Sequence, residues 1–155
     1  MFRLSNLIKS TLENQKSRTL NGSIMIWNFT NRCNLLCHHC YSKADANEKD
    51  TLTFEEIEQT ISKLKAGGVN FVIFSGGEPL LRKDIFDIAK VMKEYNIMTY
   101  LSTNGIYVSP KNVDQIIETF NYIGISIDGI EEIHDQFRGQ KGAYKKSIEA
   151  IKLIQ

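Results

Sequence analysis

The stretch FVIFSGGEP, residues 71–79, is the part of the sequence that most directly decides the fold. An unbroken apolar run from Phe71 to Phe74 is typical of a strand that is buried on both faces. The run passes directly into a polar turn that contains two glycines, residues 75–79. Strands of this kind occur in parallel sheets whose faces are covered by helices. The stretch therefore predicts a parallel strand followed by a strand-to-helix loop.

The same unit recurs along the chain on both sides of this stretch. Apolar runs over 24–27, 98–101 and 122–127 predict three more strands. Apolar positions at helical spacing predict helices over 54–64, 85–95 and 113–120, and a further helix from Tyr144. Thr53 and Glu56 have the spacing of a capping box at the start of the first helix. Four successive strand–helix units predict an α/β fold with a parallel sheet and right-handed crossovers.

Composition sets the class of protein. The length of 155 residues fits one domain, and 24% charged with 42% hydrophobic residues are ordinary globular values. The formal net charge of +1 gives no electrostatic argument for a nucleic-acid or membrane partner. No apolar stretch reaches the roughly 18 residues that span a bilayer. We expect a cytoplasmic protein with an amphipathic N-terminal segment over 1–20 and a core domain over 21–155.

The cysteines form one compact motif. Cys33, Cys37 and Cys40 are the only cysteines of the sequence, and their C-x3-C-x2-C spacing follows the first predicted strand. Thiolates select zinc, copper(I) or iron–sulfur clusters. Three thiolates on one loop can each bind one iron of a [4Fe–4S] cluster, which leaves the fourth iron open to a substrate or cofactor. Two alternatives stay open: a zinc site completed by His38 or His39, and a redox pair of Cys37 and Cys40 that leaves Cys33 unexplained.

Polar loops follow all four predicted strands, at 31–33, 75–79, 102–105 and 126–129. Each loop taken alone has the composition of an ordinary turn. Ligands of parallel α/β folds bind outside the carboxyl ends of the strands. We therefore expect the four loops to converge on one site.

Two motifs in this order carry a family resemblance. The C-x3-C-x2-C loop followed by Gly-Gly-Glu-Pro, residues 76–79, resembles the radical S-adenosylmethionine (SAM) superfamily. The stretches 102–105, 126–129 and 134–139 are similar to its SPASM-type subgroup, above all to its enzymes of haem d1 biosynthesis. The resemblance implies a partial parallel (βα) barrel with about four of six βα units here, a core domain truncated at its C-terminus, and a substrate half beyond residue 155.

The resemblance also implies roles for individual residues. Cys33, Cys37 and Cys40 would hold the [4Fe–4S] cluster, and Gly76, Gly77 and Glu78 would contact the methionine part of SAM. Ribose, carboxylate or substrate contacts would fall to Ser102, Asn104, Ser126, Asp128 and Arg138. The residues alone leave simpler interpretations open: a turn cap for Asp128, a surface position for Arg138, and a structural role for His134.

An enzymatic function follows from the resemblance. It implies that a reduced cluster passes one electron to SAM and that the resulting 5′-deoxyadenosyl radical takes a hydrogen atom from the substrate. The haem d1 branch implies a tetrapyrrole substrate, and the electron implies a low-potential donor such as a flavodoxin or ferredoxin. The alternatives are a peptide- or cofactor-maturation enzyme of the same superfamily, and a non-catalytic iron–sulfur or zinc-binding module.

Overall fold

Four parallel strands form the single sheet of the computed structural model, which describes residues 22–155. The strands are β1 (Ser23–Thr30), β2 (Val69–Gly76), β3 (Met98–Thr103) and β4 (Tyr122–Ile125). They lie in the order β1-β2-β3-β4, and all three neighbouring pairs are parallel. The predicted α/β fold is therefore confirmed. The amphipathic segment predicted over 1–20 lies outside the described residues.

Helices follow the strands, and four of the five that the structure describes lie where the apolar spacing predicts. They are α1 (Phe54–Ala66), α2 (Ile85–Glu94), α3 (Val113–Thr119), α4 (Glu132–Arg138) and α5 (Ala143–Ile154), with a short 3-10 helix at Pro79–Leu81. The capping box at the start of α1 is confirmed. The Glu56 N–H donates to Thr53 Oγ1 over 3.3 Å, and the Thr53 N–H donates to the Glu56 carboxylate over 2.8 Å.

Helix α4 is an element that the sequence pattern did not predict, and its polarity explains why. Its buried side chains are His134 and Arg138, whereas Ile133 and Phe137 are 63% and 43% exposed. Apolar residues that recur on the buried face are the sequence signal of a helix. A helix of two turns whose buried side chains are polar and whose apolar side chains are exposed gives no such signal.

The core lies between the sheet and helices α1 to α3. Its centre is an aromatic row in which Trp27 stacks on Phe29 and Phe29 on Phe74, with ring centroids 4.6 and 4.4 Å apart. The rings of Phe74 and Phe120 make an edge contact, with their centroids 5.2 Å apart. This row anchors β1 and β2 to the helical layer, so the carboxyl ends of the strands start from rigid positions. Within residues 22–155, no helix is both long and apolar enough to cross a membrane.

Candidate functional site

A cavity of about 350 Å³ opens at the carboxyl ends of the strands. Loops from all four strands contribute to its lining, as expected for a parallel sheet. Ten of the eleven predicted site residues line it: Cys33, Cys37, Cys40, Gly76, Gly77, Ser102, Asn104, Ser126, Asp128 and Arg138. The eleventh, Glu78, does not.

The cysteine loop is held by backbone hydrogen bonds and a small apolar cluster. The Cys33 N–H donates to the Asp45 carbonyl over 3.0 Å, and the Cys40 N–H donates to the Cys37 carbonyl over 3.1 Å. Cys33 is buried beside Leu35 and Ala44. All three cysteines are free thiols that border the same cavity.

The thiols differ in their electrostatic surroundings. Burial raises the pKa of Cys33 above its ordinary value. Burial also acts on Cys40, but hydrogen bonds from the Ser42 hydroxyl and nearby backbone groups outweigh it, so the pKa of Cys40 is lowered. The Ser42 hydroxyl lies 3.4 Å from Cys40 Sγ, and Arg138 Nη1 donates to Cys37 Sγ over 3.8 Å. The sulfurs of Cys37 and Cys40 therefore each have a polar side chain as a neighbour.

The two glycines of the 75–79 turn are required by close backbone packing. The Gly77 N–H donates to the Thr30 carbonyl and the Glu78 N–H donates to the Arg32 carbonyl, both over 2.8 Å. A Cβ at Gly76 would lie 2.3 Å from the Thr30 oxygen, and one at Gly77 would lie 2.1 Å from the Arg32 oxygen. The turn is thereby fastened to the backbone that leads into Cys33, a contact that the sequence did not reveal.

Glu78, for which the resemblance implies a contact with the methionine part of SAM, has its side chain enclosed by the protein. Its side chain has no exposed surface. Oε1 accepts hydrogen bonds from the Thr103 hydroxyl (2.8 Å) and the Leu80 N–H (3.1 Å), and Oε2 accepts one from the Asn104 N–H (2.8 Å). Burial raises the pKa of this carboxyl, and the three donors oppose the rise. The carboxylate faces the end of β3 and not the cavity.

Asp128, His134 and Arg138 form a polar group on the opposite wall. Arg138 Nε lies 2.5 Å from Asp128 Oδ2, and the Asp128 N–H donates to His134 Nδ1 over 3.2 Å. Arg138 is only 9% exposed, so the interpretation of this residue as a surface position is wrong. Burial lowers the pKa of His134, and the charge of Arg138 lowers it further. His134 is therefore a buried neutral base that orients the loop of Asp128.

Helix α4 also packs directly on the cysteine loop. The His38 N–H donates to the Phe137 carbonyl over 3.0 Å, and the His39 and Phe137 rings lie 4.4 Å apart. A Cβ at Gly139 would lie 2.5 Å from the Leu36 oxygen. The loop thus rests on an element that comes about a hundred residues later in the chain.

The cavity has further polar lining residues that are not among the site residues predicted from the sequence. They are Tyr41, Ser42, Ser75 and Thr103. His39, an alternative zinc ligand in the sequence, lines the cavity as well. Ser75 and Thr103 lie inside the polar loops predicted at 75–79 and 102–105, so their position in those loops was an available signal. Ser42 lies two residues after Cys40, and its closeness to the cysteine motif was also an available signal.

Comparison with known proteins identifies the family. The model of the radical SAM superfamily matches residues 27–155, and the chain belongs to this superfamily. It is 40% identical to pre-heme d1 synthase of Dinoroseobacter shibae over 98% of its own length, and 38% identical to Fe-coproporphyrin III synthase of Methanosarcina barkeri over 83%. It spans only 39% and 33% of the lengths of these relatives.

A solved structure supports the fold. The structure of native anSMEcpe with bound AdoMet and Cp18Cys peptide superposes with a TM-score of 0.67 at 24% identity. The match covers 84% of this chain and 38% of that one. The four strand–helix units therefore have the arrangement of a partial radical SAM barrel.

Proposed function

We propose that the chain binds a [4Fe–4S] cluster through Cys33, Cys37 and Cys40, with SAM beside it, and that the protein modifies a tetrapyrrole side chain by radical chemistry. The observation that carries the proposal is that all three cysteines border one cavity together with the loops of all four strands. A cavity of about 350 Å³ is within the usual range for small-molecule sites.

The chemistry of the donors fits a cluster. Cys33 is shielded by apolar neighbours, while Ser42 and Arg138 supply hydrogen bonds to the other two sulfurs, as is common around cluster thiolates. Among the residues that the structure describes, no three His, Cys, Asp or Glu side chains converge on a point where one metal ion could bind. A cluster does not need that convergence, because each thiolate binds a different iron. These features favour a cluster over a single zinc ion.

When bound, the cluster supplies the electron that cleaves SAM reductively. The protein's own residues would bind SAM and the substrate and orient them in the cavity. Ser102, Asn104 and Ser126 offer hydroxyl and amide groups at the cavity, suited to a ribose or a carboxylate. Arg138 offers a guanidinium whose charge Asp128 partly balances. Gly76 and Gly77 leave backbone atoms accessible at the cavity wall.

A tetrapyrrole substrate is supported by the names of the two relatives, a pre-heme d1 synthase and an Fe-coproporphyrin III synthase. The electron for SAM cleavage would come from a low-potential flavodoxin or ferredoxin. The substrate is tested by measuring 5′-deoxyadenosine release with a sirohaem-derived tetrapyrrole and with peptides. Release that depends on a peptide and not on the tetrapyrrole would contradict this part of the proposal.

The cluster is tested by anaerobic reconstitution with iron and sulfide. We expect broad visible charge-transfer absorption and a reduced-state EPR signal that changes when SAM is added. Replacing Cys33, Cys37 or Cys40 with alanine should abolish both signals. The control is His38→Ala, because His38 is exposed on the same loop and does not line the cavity. A colourless protein that binds stoichiometric zinc would disprove the assignment.

A further inference from the structure

The enclosed carboxylate of Glu78 begins a chain of hydrogen bonds that leads to the cysteine loop. Asn104, whose N–H donates to Glu78, also donates from its side-chain amide to Asn34 Oδ1 over 2.9 Å. Asn34 lies between Cys33 and Cys37. Glu78, Asn104 and Asn34 therefore connect the end of β2, the end of β3 and the cysteine loop.

The orientation of the Asn104 amide is determined by its other partners. Its Oδ1 accepts from the Ile106 N–H over 2.9 Å, so its NH₂ group must face Asn34. Its main-chain carbonyl accepts from the Ser147 hydroxyl over 2.7 Å. Asn104 is thus held through its side-chain amide, its main-chain carbonyl and its main-chain N–H, and Glu78 binds the N–H.

We propose that Glu78 is a positioning residue that holds Asn104, and through it the cysteine loop, and that its carboxylate does not touch SAM. The inference rests on the proposed function in one respect, namely that the cysteine loop is where the cluster binds. The absence of any exposed Glu78 surface and its position behind the cavity wall support it. Its oxygens are already occupied by three internal donors.

The number of donors explains why a carboxylate is needed. Glutamine has the same shape, but one oxygen is replaced by an NH₂ group. At the Oε2 position this group would face the Asn104 N–H, and at the Oε1 position it would face the Leu80 N–H. Thr103 does not remove the conflict, because the Leu80 N–H would still face the NH₂ group at the Oε1 position. Glu78→Gln therefore places two buried donors against each other in either orientation of the amide.

The test is amide hydrogen exchange of the purified protein without cluster, followed over residues 33–40. Glu78→Gln and Thr103→Val should each speed exchange in this loop, by roughly tenfold for a buried hydrogen bond left unmade. Asn34→Ala, which cuts the last link, should do the same. The matched control is Thr99→Val, because Thr99 is an equally buried threonine at the other end of β3, where it contacts Asn121.

The outcomes separate the two possible roles. If Glu78→Gln leaves loop exchange unchanged but weakens SAM binding to the cluster-loaded protein, Glu78 is a direct ligand and the inference is wrong. If Glu78→Gln does not fold, Thr103→Val and Asn34→Ala decide: unchanged loop exchange in both overturns the inference. Because the readout needs no cluster, failure of the protein to bind a cluster would disprove the proposed function without changing this result.

Discussion

At the scale of single residues, Gly77 shows how little room the site leaves for a side chain. Its missing Cβ makes space for the Arg32 carbonyl, one residue before Cys33. Backbone atoms cannot move aside as the end of a flexible side chain can. The glycine therefore serves the position of the cysteine loop as well as the shape of the cavity.

We predict that Gly77→Ala lowers the free energy of unfolding by about 1–3 kcal/mol or more, as overpacking does. Gly67→Ala is the matched control, because the nearest atom to its Cβ is 3.4 Å away and its φ of −78° suits alanine. That variant should be neutral or slightly stabilising. Denaturant unfolding of both variants measures the difference, and equal effects would argue against the close contact at Gly77.

His134 makes the stability of the protein depend on pH. Its Nδ1 accepts the Asp128 N–H, so it must be unprotonated, and its pKa lies below the ordinary value of about 6.5. Arg138 opposes protonation, whereas Asp128 and Asp135 favour it, yet burial and Arg138 prevail. As the pH falls below about 6.5, the unfolded chain gains a proton here that the folded chain does not, so stability is lost toward acid.

We predict that His134→Asn removes this contribution. The Asn Oδ1 atom can replace Nδ1 as the acceptor but does not titrate. The free energy of unfolding of the wild-type protein should therefore fall relative to that of the variant as the pH falls from 7.5 to 5.5. The slope of this difference should be at most about 1.4 kcal/mol per pH unit. Denaturant unfolding across this range measures it. Two parallel stability curves would show that His134 is not the group responsible.

At the scale of secondary-structure elements, α4 has an unusual arrangement of polarity. Its polar side chains His134 and Arg138 face inward because they bind Asp128 and the cysteine loop. Its apolar residues Ile133 and Phe137 are largely exposed. The helix is thus held by polar contacts at the site more than by burial of an apolar face.

We predict that Ile133→Ala changes the free energy of unfolding by no more than about 0.5 kcal/mol. The matched control is Ile116→Ala in α3, where the side chain is fully buried and the loss should be about 2–5 kcal/mol. Chemical denaturation of both variants is the measurement. A large loss at Ile133 would mean that this surface is covered in solution.

At the scale of the whole molecule, the cavity is a joint product of four strand ends that lie far apart in the sequence. Glu78, Asn104 and Asn34 connect three of these segments, and Arg138 connects the fourth to Cys37 by contacting Asp128. A ligand that contacts all of them should therefore stabilise the sheet as a unit and not one loop alone.

We predict that SAM at about 100 times its Kd stabilises the cluster-loaded protein by roughly 2.7 kcal/mol, because it binds only the folded state. Thermal unfolding under anaerobic conditions is the measurement. The variant with Cys33, Cys37 and Cys40 all replaced by alanine should show a much smaller increase. An equal increase in that variant would place the SAM site away from the cysteine loop.

Much of the architecture was predictable because it is encoded locally. Strands such as 71–74 and helices such as 85–95 have periodic apolar patterns, and parallel connections with right-handed crossovers restrict how such units join. The cysteine spacing, the Gly-Gly-Glu-Pro turn and the polar loops after each strand likewise lie within short windows. The sequence by itself therefore determined the fold class, the family and ten of the residues that line the cavity.

Only the tertiary structure decided what depends on contacts between distant segments. The direction of the Glu78 side chain follows from donors at 103–104, the need for Gly77 follows from a carbonyl at 32, and the burial of His134 and Arg138 follows from partners at 37 and 128. A single sequence shows which residue types are present, but not which buried donors surround a carboxylate. That environment exists only once the four loops have been brought together.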